Sequence, residues 1–180
     1  VPLDDPGRTA PVLRAQQGPP VPVDQAVLEP MSVVDVVFLQ QMVPHHEQAL
    51  AIVDTAVTRS ADPAVRGAAE EVGAPLPAEL RTMTLWLASV GLAPDGSAGA
   101  HAHAGGMSDE DVARVRAASG AELDELLLPL LIDHQVGAVE LARSAAATGS
   151  NAAVRGLAAT IAEREWAAVV ALRDVRAGRP

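Results

Sequence analysis

The sequence predicts an all-α protein, an antiparallel four-helix bundle built from two tandem helical hairpins. Three observations carry that prediction. Alanine fills 36 of the 180 positions, valine 23 and leucine 19, against one phenylalanine, two tryptophans and no tyrosine or cysteine. An Ala/Leu/Glu/Arg vocabulary of this kind favours helix over strand. Long stretches beyond residue 31 run with few Gly or Pro breakers. Finally, the chain repeats itself at an offset of 89 residues, which takes Asp35 to Asp124, His45 to His134 and Ala49 to Ala138. The same offset carries Ala64-Val65-Arg66-Gly67 onto Ala153-Val154-Arg155-Gly156 without a gap. Each half is then one hairpin, and a pseudo-two-fold axis relates the two.

The elements follow in order. Residues 1–31 hold seven of the 14 prolines, a density that prevents helix and ladder, so an extended or disordered arm is expected there. Ser32 with Asp35 three residues on forms a short capping box opening a helix over Val33 to Arg59. Its apolar stripe is Phe38, Met42, His45, Ala49, Ile52, Val53 and Ala56. Asp62-Pro63 reads as N-cap and first residue of a second helix that ends before Gly91. The run Gly73-Ala74-Pro75-Leu76-Pro77 should kink or split that helix. Residues 92–107 form a Gly/Ala/His loop, and Ser108-Asp109-Glu110 starts a short helix stopping near Gly120. A long helix from about Ala121 to Thr148 contains Pro129 and closes at Gly149, and a last one covers about Asn151 to Ala177. A helix of 27 residues is roughly 40 Å long, so four such rods suit a bundle occupying residues 32–180.

The formal net charge is −10, with 13 basic residues that are all arginine and nowhere clustered, so nucleic acid and anionic membranes are unsuitable partners. No apolar run reaches the roughly 18 residues of a membrane span. Without cysteine there are no disulfides, zinc fingers or thiolate sites. Enzyme motifs are missing as well. No Glu stands three residues before His45, His46 or His134, as a di-iron bundle requires, and the sequence has no His-Glu-x-x-His, Gly-x-Ser-x-Gly, P-loop or Gly-x-Gly-x-x-Gly. A non-enzymatic protein is expected.

Candidate ligands concentrate in the first repeat. Met42, His45 and His46 lie at i, i+3 and i+4, and Glu79 and Met83 at i and i+4 of the second helix. Thioethers and imidazoles suit copper, Cu(I) above all, whereas imidazole with carboxylate suits zinc or another divalent ion. The bland reading of the same residues is a buried hydrogen-bonded network of His45, His46 and Glu79 with backbone carbonyls. Copper, another divalent ion and no metal at all are the open outcomes. In the second repeat His134 persists, but His46 corresponds to Gln135, Met42 to Leu131 and Glu79 to Ala168. Glu165, opposite Leu76, is expected to pair with His134, and any site is expected to belong mainly to the first half. His101 and His103 are weak additional candidates in the loop, where two ligands do not close a site.

The run Asp35-Val-Val-Phe38-Leu-Gln-Gln-Met42-Val-Pro44-His45-His46-Glu-Gln-Ala49 resembles the Met-x-Pro-His-His-x-x-Ala signature of the exported bacterial family known as domain of unknown function 305. Glu79-Leu-Arg-Thr-Met83-Thr-Leu-Trp86-Leu87 is similar to that family's following Glu-x-x-x-Met-x-x-Trp-Leu. Gly106-Met107-Ser108 and residues 117–124 resemble its linker, so the resemblance covers about 32–177. It implies a ferritin-like helical bundle, export across the membrane and, for some relatives, copper or other metal handling. The chain starts at Val1, consistent with a removed leader or a trimmed terminus. Two departures stand out: Leu76 where the family has Gln, and His134-Gln135 in place of a second His pair.

Overall fold

The computed structural model describes residues 29–94 and 106–179. The proline-rich arm through residue 28 and the loop bearing His101 and His103 lie outside the described residues. Among the described residues there are six helices and no strand: α1 (Val33–Arg59), α2 (Pro63–Gly73), α3 (Leu76–Ser89), α4 (Asp109–Ala117), α5 (Gly120–Thr148) and α6 (Ala152–Ala177).

The caps are those expected from the sequence. Ser32 and Asp35 complete a reciprocal capping box on α1, and Ser108 and Asp111 do the same for α4. The Asp62 side chain accepts from Ala64 N–H at 2.8 Å to open α2, with Pro63 in its first turn. Between α2 and α3 only Ala74 and Pro75 intervene, so the two form one broken rod. Gly73 sits where that rod presses on α1: a Cβ there would lie 2.7 Å from Val53 Cγ1. At the far end, Leu92 N–H donates to Leu87 O and Gly91 N–H to Ala88 O, with Gly91 at φ +75°, a Schellman stop. Pro44 and Pro129 are accommodated inside α1 and α5.

The α2–α3 rod packs on α1, α5 packs most extensively on α6, and α1 lies on α5 while α2 lies on α6. Two apolar clusters result. One gathers Ile52, Val65, Val72, Leu123, Leu127 and Leu172, and the other Phe38, Met42, Met83, Ala142, Val154 and Ile161. Along every rod the two clusters are separated by buried polar residues: His45 and His46 on α1, Glu79 on α3, His134 and Gln135 on α5, and Glu165 on α6.

The corners repeat in part. Asp35 Oδ2 accepts from Ser150 N–H and Asn151 N–H, both at 3.1 Å, and from the Ser150 hydroxyl at 3.0 Å. Its counterpart Asp124 accepts from the Ser60 hydroxyl at 2.5 Å and pairs with Arg179 at 3.2 Å. Arg66 donates to Ser60 O at 2.8 Å, and Arg155 donates to Gly149 O at 3.3 Å, both donor and acceptor displaced by the same 89 residues. Gly149 is fixed by space rather than by a left-handed φ, since a Cβ there would meet Asp35 Oδ1 at 2.3 Å.

Burial alone would raise the Asp35 carboxyl, but the Ser32 hydroxyl and the backbone N–H groups of Ser32, Asn151 and Ser150 hold it below the ordinary carboxylate value. A group lowered on folding contributes stability above its unfolded pKa and loses it as pH falls through the folded value. Asp35→Ala should therefore lower the unfolding free energy by about 3 kcal/mol at pH 7, because the N–H groups of Ser32, Ser150 and the buried Asn151 lose their acceptor at once. Asp35→Asn should shed less at pH 7 and lack the wild-type decline below about pH 4. Urea unfolding at pH 7 and pH 3 measures both.

Candidate metal centre

The middle layer begins where α1 crosses α5. His45 Nε2 lies 3.1 Å from His134 O, and His134 Nε2 lies 3.1 Å from His45 O. A carbonyl only accepts, so both Nε2 atoms carry protons and donate. The rings stack with centroids 3.6 Å apart and planes 8° from parallel. This reciprocal pair, each residue bonded to its own copy 89 positions away, is the arrangement a two-fold relation between hairpins produces.

One residue along, the chain turns to its hairpin partners. His46 Nε2 is 2.8 Å from Glu79 Oε2, and Gln135 Nε2 donates to Glu165 Oε2. Glu165 thus bonds Gln135, the residue next to His134. This contact shifts the register of the second hairpin. His46 and Gln135 keep the offset of 89, but Glu79 and Glu165 differ by 86. From N-cap to glutamate the first hairpin counts 17 residues (Asp62 to Glu79) and the second 14 (Asn151 to Glu165). The three extra residues are absorbed at the break between α2 and α3, whereas α6 runs unbroken. Glu165, and not Ala168, therefore occupies the place of Glu79.

The two carboxylates meet. One ligand atom each from His46, Glu79 and Glu165 lies within 4.8 Å of the others, and all three residues are buried. The cluster draws on both halves of the chain, where the sequence pointed mainly to the first. A cation is already present: Arg164, beside Glu165 on α6, forms an ion pair with Glu79 Oε1. Sequence reasoning passed over Arg164 and the bonding role of Gln135. Arg164 was legible only through the register, since it faces the layer because Glu165 does.

Met42 and Met83, each one helical turn from His46 and Glu79 respectively, are fully buried in the apolar cluster with Phe38 and Leu87. His45 and His134 direct their Nε2 protons to backbone, as above. His101 and His103 fall outside the described residues.

Electrostatics in the layer follow from burial. Burial, assisted by the Arg164 charge, pulls His46 down to about 3, which leaves a neutral imidazole at ordinary pH. Burial pushes Glu165 up to about 7, against the opposing pull of Arg164 and the Gln135 hydrogen bond. Burial also lowers the Arg164 guanidinium, with Glu165 acting the other way.

The helices among the described residues, with a buried imidazole–carboxylate layer between them, define an all-helical protein with a centre of oxygen and nitrogen donors. By sequence the chain belongs to the family described as Domain of unknown function (DUF305), whose family model matches residues 35–176. The same fold recurs in a DUF305 fragment from Deinococcus radiodurans, 25% identical with a TM-score of 0.73, covering 82% of this chain and 97% of that one. A DUF305 protein from Streptomyces coelicolor, named as a candidate secreted protein, is 21% identical with a TM-score of 0.70, covering 79% and 91%. CopM in its Cu(I)-bound form is 18% identical with a TM-score of 0.66, covering 78% and 93%, and its Cu(II)- and Ag-bound forms match as well. Among curated proteins none matches the chain.

The two shifted groups oppose each other in their linkage to folding. His46 binds fewer protons folded than unfolded between pH 3 and 6.5, so its contribution rises with pH. Glu165 binds more protons folded than unfolded between pH 4.5 and 7, so its contribution falls. The wild-type stability curve should therefore be nearly level between pH 4.5 and 6.5. Glu165→Gln should convert that plateau into a rise with pH, and His46→Gln into a decline, as read from denaturation midpoints of metal-free protein.

Proposed function

We propose that this chain is an exported, non-enzymatic protein that binds a metal ion in the middle of a ferritin-like antiparallel four-helix bundle of two tandem hairpins. One observation carries the reading: an imidazole and two carboxylates, all buried, bring ligand atoms within 4.8 Å of one another. Unpaired buried carboxylates are costly, and a cation is the ordinary remedy. His46, Glu79 and Glu165 would hold the ion, and His45 would support them by fixing the crossing of α1 and α5. Nitrogen and oxygen donors favour a divalent ion, with Cu(II) ahead of Zn(II) in the usual order of affinities. Met42 and Met83 would matter only for Cu(I), which seeks thioethers. CopM, a structural neighbour, is described with copper and silver bound, and that adds support for copper. Export is supported by the name of the Streptomyces coelicolor neighbour. No helix among the described residues is long and apolar enough to cross a membrane.

A second reading is favoured by one specific contact. Arg164 already neutralises Glu79, so the layer can also stand as a metal-free ion-pair network in a structural or interaction module.

Titration of tag-free protein with Cu(II), Zn(II) and Cu(I) separates the two. Metal binding predicts one equivalent of Cu(II) and a melting temperature that rises with free metal, because a ligand of the native state alone must stabilise it. His46→Ala and Glu165→Ala should each weaken Cu(II) at least tenfold, whereas Met42→Leu and Met83→Leu should leave it unchanged and weaken Cu(I). A melting temperature indifferent to both chelator and copper would favour the structural module.

A further inference from the structure

Arg164 competes with any metal ion for Glu79. Its Oε1 is ion-paired with Arg164, and its Oε2 is bonded to His46. A dication and a guanidinium on the same buried carboxylate repel each other, so each weakens the other's hold. Arg164, unlike its partners, has a route out. Its side chain is 35% exposed where that of Glu79 is 8% exposed. Its Nε is buried without a hydrogen-bond partner among the described residues, so the guanidinium is incompletely satisfied where it stands. The same side chain lines a recess of about 150 Å³ between α2 and α6, together with Glu71, an exposed carboxylate on α2.

We propose that Arg164 is a movable counter-ion for this centre, yielding Glu79 to a divalent cation by swinging into the α2–α6 recess, where Glu71 receives it. The inference rests on the metal-binding reading above and adds its regulation. No covalent bond of the chain changes in the exchange: the Arg164–Glu79 ion pair gives way to metal–ligand contacts. One cation leaves the carboxylate as another arrives, so the buried layer is never left with an unmatched negative charge. Arg164 is in this sense a positioning residue that sets how tightly the site takes metal, and Glu71 sets how readily Arg164 departs.

The test uses the full chain and Zn(II), which is redox-silent, in competition with a chromophoric chelator. Arg164→Met should raise Zn(II) affinity at least tenfold by removing the competing cation. Glu71→Gln, at an exposed position that leaves the fold intact, should lower it several-fold. In ¹⁵N spectra the Arg164 Nε–H should be protected from solvent exchange in metal-free wild type and lose that protection at one equivalent of Zn(II). Binding that needs His46 but is unchanged in both variants, or an Nε–H that stays protected in the zinc-loaded protein, would overturn the counter-ion role and leave the metal site standing. Absence of both Zn(II) and Cu(II) binding in wild type and Arg164→Met alike would overturn the metal reading itself, and the counter-ion role with it.

Discussion

The reciprocal bond between His45 and His134 is the constraint from which the rest of the interior follows. Two imidazoles that stack at 3.6 Å and reach each other's backbone force α1 and α5 to cross closely. Close crossing is helped where flanking side chains are small, and Ala49, Gly137 and Ala138, all buried, lie one turn beyond His45 and His134 on α1 and α5. Once the crossing is fixed, the next residue on each helix, His46 and Gln135, points away from its own copy toward the following helix of its hairpin. The glutamates they bond are drawn together by the same geometry.

A buried layer assembled in this way has an electrostatic problem that apolar packing cannot solve. Two carboxylates within reach of one another cannot both remain charged without a cation. The molecule answers in two ways at once. Glu79 is matched by Arg164, while Glu165 is pushed up to about 7 and receives the Gln135 amide. His46 stays neutral beside Arg164, the state in which imidazole is a ligand. The polar layer lies between two apolar clusters, so water is excluded from both sides and each of these interactions acts in a low-dielectric setting.

Much of this was legible in the sequence, for identifiable reasons. Capping residues such as Ser32, Asp62 and Ser108 announce helix starts through short-range chemistry, and the structure places the starts there. The offset of 89 marked His45 and His134 as equivalents, and they meet. What failed was the assumption that one offset serves both helices of a hairpin. The break at Gly73–Pro75 was visible, but its consequence was not: a split rod can take up three residues without moving its far end out of register with the core. With the offset held at 89, Glu79 appeared to lack a counterpart and Glu165 fell opposite Leu76. Arg164 escaped notice because a lone arginine on a helix signals only solvent until its neighbour is known to point inward.

The corrected register changes what the degeneration of the second half means. Replacing His46 by Gln135 in the copy removes one imidazole but retains both glutamates, Glu79 and Glu165. A symmetric centre would offer two imidazoles and two carboxylates. This one offers a single imidazole, two carboxylates and an amide whose nitrogen is committed to Glu165. The loss therefore moves the donor set toward oxygen, away from what Cu(I) prefers and toward a divalent ion. The neutral His46 imidazole supplies no positive charge to the carboxylate pair, and Arg164 is the cation that α6 places next to Glu165.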